Sequence, residues 1–141
     1  MNGYRNGGSN YNAGNKSRQQ APVLFPEIVL DYKVDKNLFD KTAHDVAKAI
    51  EQTKPAQIRA FYDYVIKLEQ DAQTQNFSEI LPFVKMLNSK AAYSKTRGYA
   101  SDEFVKMINI CVNQVKEKEN LRVFKLFFES VIGFAKNKER I

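Results

Sequence analysis

The residues of this sequence best suited to chemistry are cations in one predicted helix. Four basic side chains and a single acidic one occupy residues 76–100, the basic ones being Lys85, Lys90, Lys95 and Arg97. At 100° per residue, Lys90 and Arg97 lie within about 20° of one another on one border of the apolar stripe. Lys95 lies on the other border, and Lys85 lies nearly opposite the stripe. With neutral donors such as Tyr93 among them, these cations can follow a nucleic-acid backbone. The alternative is an ordinary solvated helix face.

The other reactive side chains form no catalytic or metal-binding pattern. His44 is the only histidine and lies on a charged helix, which favours a surface residue over a general base. Cys111 is the only cysteine, which excludes a disulfide framework and a Cys-based zinc site within one chain. Its apolar neighbours indicate a buried structural thiol. We predict no metal, no cofactor and no enzymatic activity; a small ribonuclease that uses His44 is a weaker alternative.

The elements that position these residues are predicted to be helices. Apolar residues recur at helical spacing from about Asn37 onward, and no run alternates as in a strand. The predicted boundaries of the later helices are Thr53 with Pro55, Asn76 or Ser78, Arg97 with Gly98, Ser101, and Asn120. The sequence therefore predicts an all-α fold, a compact bundle of about five helices.

The chain divides into a tail and one predicted domain. Residues 1–24 are rich in Gly and Asn, which bring little apolar surface and predict a disordered, flexible N-terminal tail. Residues 25–141 form the predicted helical domain. Its longest uncharged stretch, residues 107–115, is far shorter than the roughly 20 residues that span a bilayer. We expect a soluble, cytoplasmic protein without membrane contact, and its net charge of +6 favours an anionic partner.

The final predicted helix is apolar around much of its circumference. Phe127 and Phe134 fall outside its main apolar stripe. Such a helix is either central in a bundle or holds one face against another chain. Phe127 and Phe134 are therefore candidates for contact with another copy of this chain, with simple core packing as the alternative.

Three stretches of this sequence together resemble one protein family. They are TKPAQIRAFY at residues 53–62, ILPFVKMLNSKAAY at residues 80–93 leading to Arg97, and FKLFFESVIGF at residues 124–134. In this order and spacing they are similar to the small subunit of type III-A CRISPR (Csm) interference complexes. The likeness covers about residues 37–138. The most specific part is the Gln57-Ile58-Arg59 helix start combined with the segment from Leu87 to Arg97.

The resemblance implies a non-catalytic RNA-binding subunit. Several copies stack head to tail into a filament beside the backbone subunits that hold the guide RNA, and a basic groove follows the guide–target duplex. Cleavage of target RNA belongs to the backbone subunits, and DNA cleavage and cyclic-nucleotide synthesis belong to the large subunit. The implied partners are guide RNA, target RNA, other copies of this chain, and the backbone and large subunits.

Carried onto this sequence, the resemblance gives a specific set of RNA-binding residues. They are Lys54, Arg59, Lys85, Lys90, Tyr93, Lys95 and Arg97. Lys90 and Arg97 can instead meet acidic residues of a neighbouring copy. The main alternative function is a helical protein-interaction module without nucleic-acid binding, whose positive charge serves an acidic protein partner.

Overall fold

The structure, a computed structural model, describes residues 25–139 and the side chains of residues 25–135. The predicted tail, residues 1–24, and the last two residues of the predicted domain lie outside that range. Helix α1 joins a π-helical turn, Leu38–Thr42, to an α-helical part, Ala43–Ala49. The remaining helices are α2 (Pro55–Ala72), α3 (Phe77–Thr96), α4 (Asp102–Gln114) and α5 (Lys118–Glu139). Residues 25–139 contain no strand, and the prediction of an all-α bundle of about five helices is confirmed.

Helix α5 packs against two of the other helices at once. It contacts both α1 and α2, while α3 lies against α2 and α4. Phe104, Phe124 and Phe128 are fully buried, and the Phe61 ring meets the Phe104 ring edge-on with centroids 5.0 Å apart. Burying such aromatic side chains removes a large apolar area from water, which is the main contribution to the stability of the bundle.

Phe127 belongs to this core, so the predicted contact with another copy is wrong at this residue. Its side chain has 0% exposure, and a ring without exposed surface cannot meet a partner unless the core opens. The reason is that α5 packs on two helices at once, which covers apolar residues outside its main stripe as well. Phe134 differs, because it is only half-buried and meets the His44 ring edge-on at 5.0 Å.

Capping residues fix both ends of α3 and the start of α4. The Asn76 side chain accepts a hydrogen bond from the Ser78 N–H at 3.2 Å, and the Ser101 hydroxyl accepts one from the Phe104 N–H at 3.2 Å. Gly98 has a φ of 81°, the left-handed conformation that commonly ends a helix. These predicted boundaries of α3 and α4 are confirmed.

Two predicted helix starts are shifted. Lys54, not Thr53, is the N-cap of α2. Thr53 is buried, and its hydroxyl accepts a hydrogen bond from the Ser101 N–H at 2.9 Å, which ties the α1–α2 loop to the α3–α4 loop. Asn120 lies inside α5, where its side-chain oxygen accepts hydrogen bonds from the N–H groups of Lys116 and Glu117, each at 3.0 Å. Helix α5 therefore begins before Asn120.

Candidate nucleic-acid interface

A groove of about 370 Å³ lies between α2 and α3 and gathers part of the predicted RNA-binding set. Its polar and aromatic lining includes Tyr64 of α2, Lys90 and Tyr93 of α3, Arg97 directly after α3, and Tyr99 of the α3–α4 loop. We refer to it as the α2–α3 groove. Lys90 and Arg97 are seven residues apart, two helical turns, so both lie on the same line of α3, as predicted.

The turn at Gly98 brings Tyr99 back toward the groove. The Gly98 N–H donates to the Lys95 carbonyl at 2.9 Å, and the Tyr99 N–H donates to the Ser94 carbonyl at 3.0 Å. The Tyr99 carbonyl in turn accepts the Lys54 N–H at 3.1 Å. This last bond joins the start of α2 to the end of α3 and places Lys54 next to the groove.

Arg97 is held by two tyrosines. Its guanidinium carbon lies 5.6 Å from the Tyr93 ring centroid and 5.1 Å from the Tyr99 ring centroid. Nη1 donates to the Tyr93 hydroxyl and Nη2 to the Tyr99 hydroxyl, each at 3.2 Å. These hydrogen bonds raise the pKa of Arg97, first through Tyr93 and then through Tyr99. Because two of five N–H donors are engaged, the others are oriented and available to an anion.

Among the described residues, no carboxylate neutralises the positive charge at the groove. Within residues 25–135, no ion pair involves Lys54, Lys85, Lys90 or Arg97, and all four side chains are exposed. The Lys90 Nζ instead lies 5.0 Å from the Tyr64 ring centroid. A ring face attracts a cation without cancelling its charge, so both groove cations keep their attraction for phosphate.

A comparison with protein families shows which family the chain belongs to. The family model described as Csm2 Type III-A matches residues 33–140. The chain belongs to the Csm2 type III-A family. It is therefore a small subunit of the type III-A Csm complex, which confirms the resemblance found in the sequence. No curated protein and no solved structure matches the chain.

Four predicted cations of this Csm2 family member do not line the α2–α3 groove: Lys54, which lies next to it, Arg59, Lys85 and Lys95. Lys95 Nζ is 2.8 Å from Asp102 Oδ1, and this contact raises the pKa of Lys95. Arg59 Nε is 3.2 Å from Asp63 Oδ1. Lys85 is exposed on α3 but does not line the groove. Of the four predicted cations near the end of α3, the groove therefore gathers Lys90 and Arg97 but not Lys85 and Lys95, because their spacing points them to different sides of the helix.

Sequence reasoning missed Tyr64 and Tyr99 as members of the site. Tyr64 lies on α2, seven residues after Gln57, and both line the groove. The sequence held two signals. One is the two-turn spacing between Gln57 and Tyr64, and the other is the position of Tyr99 directly after Gly98, the glycine that ends α3. Neither signal shows which helix lies beside α3, which is a property of the tertiary packing.

A second cavity, of about 560 Å³, lies where α1 and α5 meet the start of α2. Its lining is largely apolar and includes Ala47, Ile58 and Ile132. Arg59 is the cation of that lining, and it is already paired with Asp63. This cavity is thus less suited to an anion than the α2–α3 groove.

The described residues offer little for catalysis or metal binding. Burial raises the pKa of the Cys111 thiol well above its ordinary value, so this cysteine is a poor nucleophile. His44 is exposed, with Nδ1 3.7 Å from an Asp45 carboxylate oxygen. Within the described part of the chain, no group of His, Cys, Asp and Glu can hold a metal, and no helix is long and apolar enough to cross a membrane.

Proposed function

We propose that this small subunit binds RNA through the α2–α3 groove and has no catalytic activity of its own. Several copies form a filament along the guide RNA–target RNA duplex, beside the backbone and large subunits, in a complex that acts in antiviral defence in the cytoplasm. One observation carries the proposal: Lys90 and Arg97 are exposed in one groove, and neither is paired with a carboxylate among the described residues.

The chemistry of the groove suits contact with an RNA backbone. Lysine and the planar guanidinium of arginine both bind phosphate, and tyrosine hydroxyls can hydrogen-bond phosphate or ribose. If Lys54, Lys90 and Arg97 each neutralise one phosphate, binding weakens with salt at a log–log slope of roughly −2 to −3. Such binding is weak for one copy, but several copies held on one strand reinforce one another through effective concentration.

Phe134 is the proposed contribution of α5 to contact between copies. Its ring is half-buried at the end of the described side chains of α5 and is held edge-on against His44. A partly exposed aromatic ring gains buried area when a second copy covers it. Phe127 takes no part in this contact, since it lies in the core.

The test is RNA retention by a reconstituted Csm complex that carries the double variant Lys90→Glu with Arg97→Glu. A matched control, Lys48→Glu with Lys116→Glu, makes the same change in net charge at exposed residues outside the groove. We expect the groove variant to assemble but to retain much less target RNA than the control. If both variants retain RNA like the unmodified protein, the groove does not bind RNA. If the groove variant fails to join the complex while the control joins it, the groove is instead a protein-interaction surface.

A further inference from the structure

We infer that the α2–α3 groove takes one nucleotide whose base is outside a continuous stack, with the base on a tyrosine ring and the phosphate on Arg97. The nucleotide comes from a single-stranded segment or from an unpaired position in a duplex. This inference rests on the proposed function and names the form of RNA that the groove accepts.

The aromatic content of the groove is the first argument. A surface that only follows a phosphate backbone needs charge and hydrogen-bond donors, but this groove also presents the rings of Tyr64, Tyr93 and Tyr99. Tyr93 is 62% exposed and Tyr99 is 36% exposed, so both rings offer surface to a ligand. Stacking on exposed aromatic rings is how proteins hold unpaired bases, and it tolerates any base because every base has a π-face.

The second argument is that hydrogen bonds already hold the side chains of the groove in place. The hydrogen bonds from Arg97 to the hydroxyls of Tyr93 and Tyr99 fix the guanidinium beside both rings. In a nucleotide a single ribose separates the phosphate from the base, so a cation held near an aromatic ring can match both parts of one nucleotide. Arg97 also keeps N–H donors for the phosphate after its two bonds to tyrosine. The site is thus arranged before RNA arrives, which reduces the entropy lost on binding.

The size of the groove is the third argument. About 370 Å³ is near the lower end of the volumes of small-ligand sites. A groove of this size can accommodate a group as large as one nucleotide. Gln57, at the wall of the groove, uses its side-chain oxygen to accept the Ser94 hydroxyl at 2.6 Å. The amide nitrogen of Gln57, for which residues 25–135 supply no hydrogen-bond partner, can donate to the edge of the base.

The test uses the full chain at low salt with RNA that carries one 2-aminopurine, a base whose fluorescence falls when it stacks. The protein has no tryptophan, so its own emission does not interfere. Three probes are compared: a single-stranded uridine-rich RNA, a duplex with the 2-aminopurine unpaired in a bulge, and a fully paired duplex. We expect quenching of the unpaired base on binding and at least several-fold tighter binding of the first probe than of the third.

Variants then assign the effect to the groove. We expect Tyr93→Ala to weaken binding of the single-stranded probe about tenfold, and Tyr93→Phe to retain most of the binding because the ring is kept. Tyr32→Ala is the matched control, since Tyr32 is also an exposed tyrosine but does not line the groove. Tyr93 is mostly exposed, so its removal should leave the helical circular dichroism unchanged.

The outcomes separate this inference from the proposed function. If all three probes bind alike and Tyr93→Ala changes none of them, the inference is wrong, although the groove can still bind RNA backbone. Loss of quenching in both Tyr93→Phe and Tyr93→Ala also overturns it, because stacking requires only the ring. If Lys90→Glu with Arg97→Glu leaves RNA retention by the assembled complex unaltered, the proposed function fails as well.

Discussion

The Lys90 ammonium lies 5.0 Å from the centroid of the Tyr64 ring, across the groove that separates α3 from α2. Such a contact is worth about 0.5–1 kcal/mol at an exposed site. It restrains the lysine side chain without neutralising it. Lys95, on the same helix, is instead paired with Asp102 at 2.8 Å. The two lysines therefore differ in how readily they bind an incoming phosphate.

This difference predicts the salt dependence of RNA binding. Lys90→Ala and Arg97→Ala should each weaken binding and reduce the magnitude of the log–log salt slope by about 0.7–0.9, because each removes one phosphate contact. Lys95→Ala should leave the slope nearly unchanged. The measurement is the Kd of the full chain for a single-stranded RNA at several salt concentrations. Equal slope changes for all three variants would show that the ion pair with Asp102 does not set Lys95 apart.

Gly98 positions the groove through its backbone conformation. A Cβ at this residue would meet no atom within 4 Å, so the effect of Gly98→Ala comes from its φ of 81° alone. We expect Gly98→Ala to lower the free energy of unfolding by about 1–2 kcal/mol, and Gly98→Asn to cost less, because Asn tolerates the left-handed region. Urea unfolding measures both. Equal costs for the two variants would contradict a conformational cause.

Phe127 and Phe134 should differ sharply in their contribution to stability. Phe127→Ala removes a fully buried ring and should lower the free energy of unfolding by about 3–5 kcal/mol. Phe134→Ala should cost less, because its ring is only half-buried. Chemical denaturation of the two variants measures this difference. Similar small costs for both would mean that Phe127 is not in the core in solution.

Cys111 should be unreactive in the folded protein. Burial raises the pKa of its thiol, so the thiolate that reacts with alkylating reagents is scarce, and the sulfur is also inaccessible. We expect labelling by a maleimide or iodoacetamide only in urea, with a rate that follows the unfolding transition. Rapid labelling without denaturant would show that α4 opens locally under native conditions.

Local sequence signals predicted most of the fold. Asn76, Ser101 and Gly98 each act on neighbouring backbone groups, so their effect on the ends of α3 and α4 can be inferred from a few adjacent residues. Asn120 was misread because its oxygen satisfies N–H groups that come before it in the chain. Thr53 was misread because its partner, Ser101, is distant in sequence.

The candidate site was predicted less completely than the helices. The spacing of Lys90 and Arg97 placed both on one line of α3, and the structure places both in one groove. Tyr64 and Tyr99 were missed because their place in the groove depends on how α2 and the α3–α4 loop pack against α3. For the same reason, the burial of Phe127 could not be read from α5 alone, since it depends on the two helices that cover α5.

The most direct test of the central claim is photocrosslinking of RNA in the native Csm complex, followed by mass spectrometry of the crosslinked peptides. Contact between the α2–α3 groove and RNA predicts nucleotide adducts on peptides that contain Tyr93 or Tyr99, and loss of those adducts in the Lys90→Glu with Arg97→Glu variant. Adducts confined to peptides outside the groove, with Tyr93 and Tyr99 unmodified, would contradict the proposal.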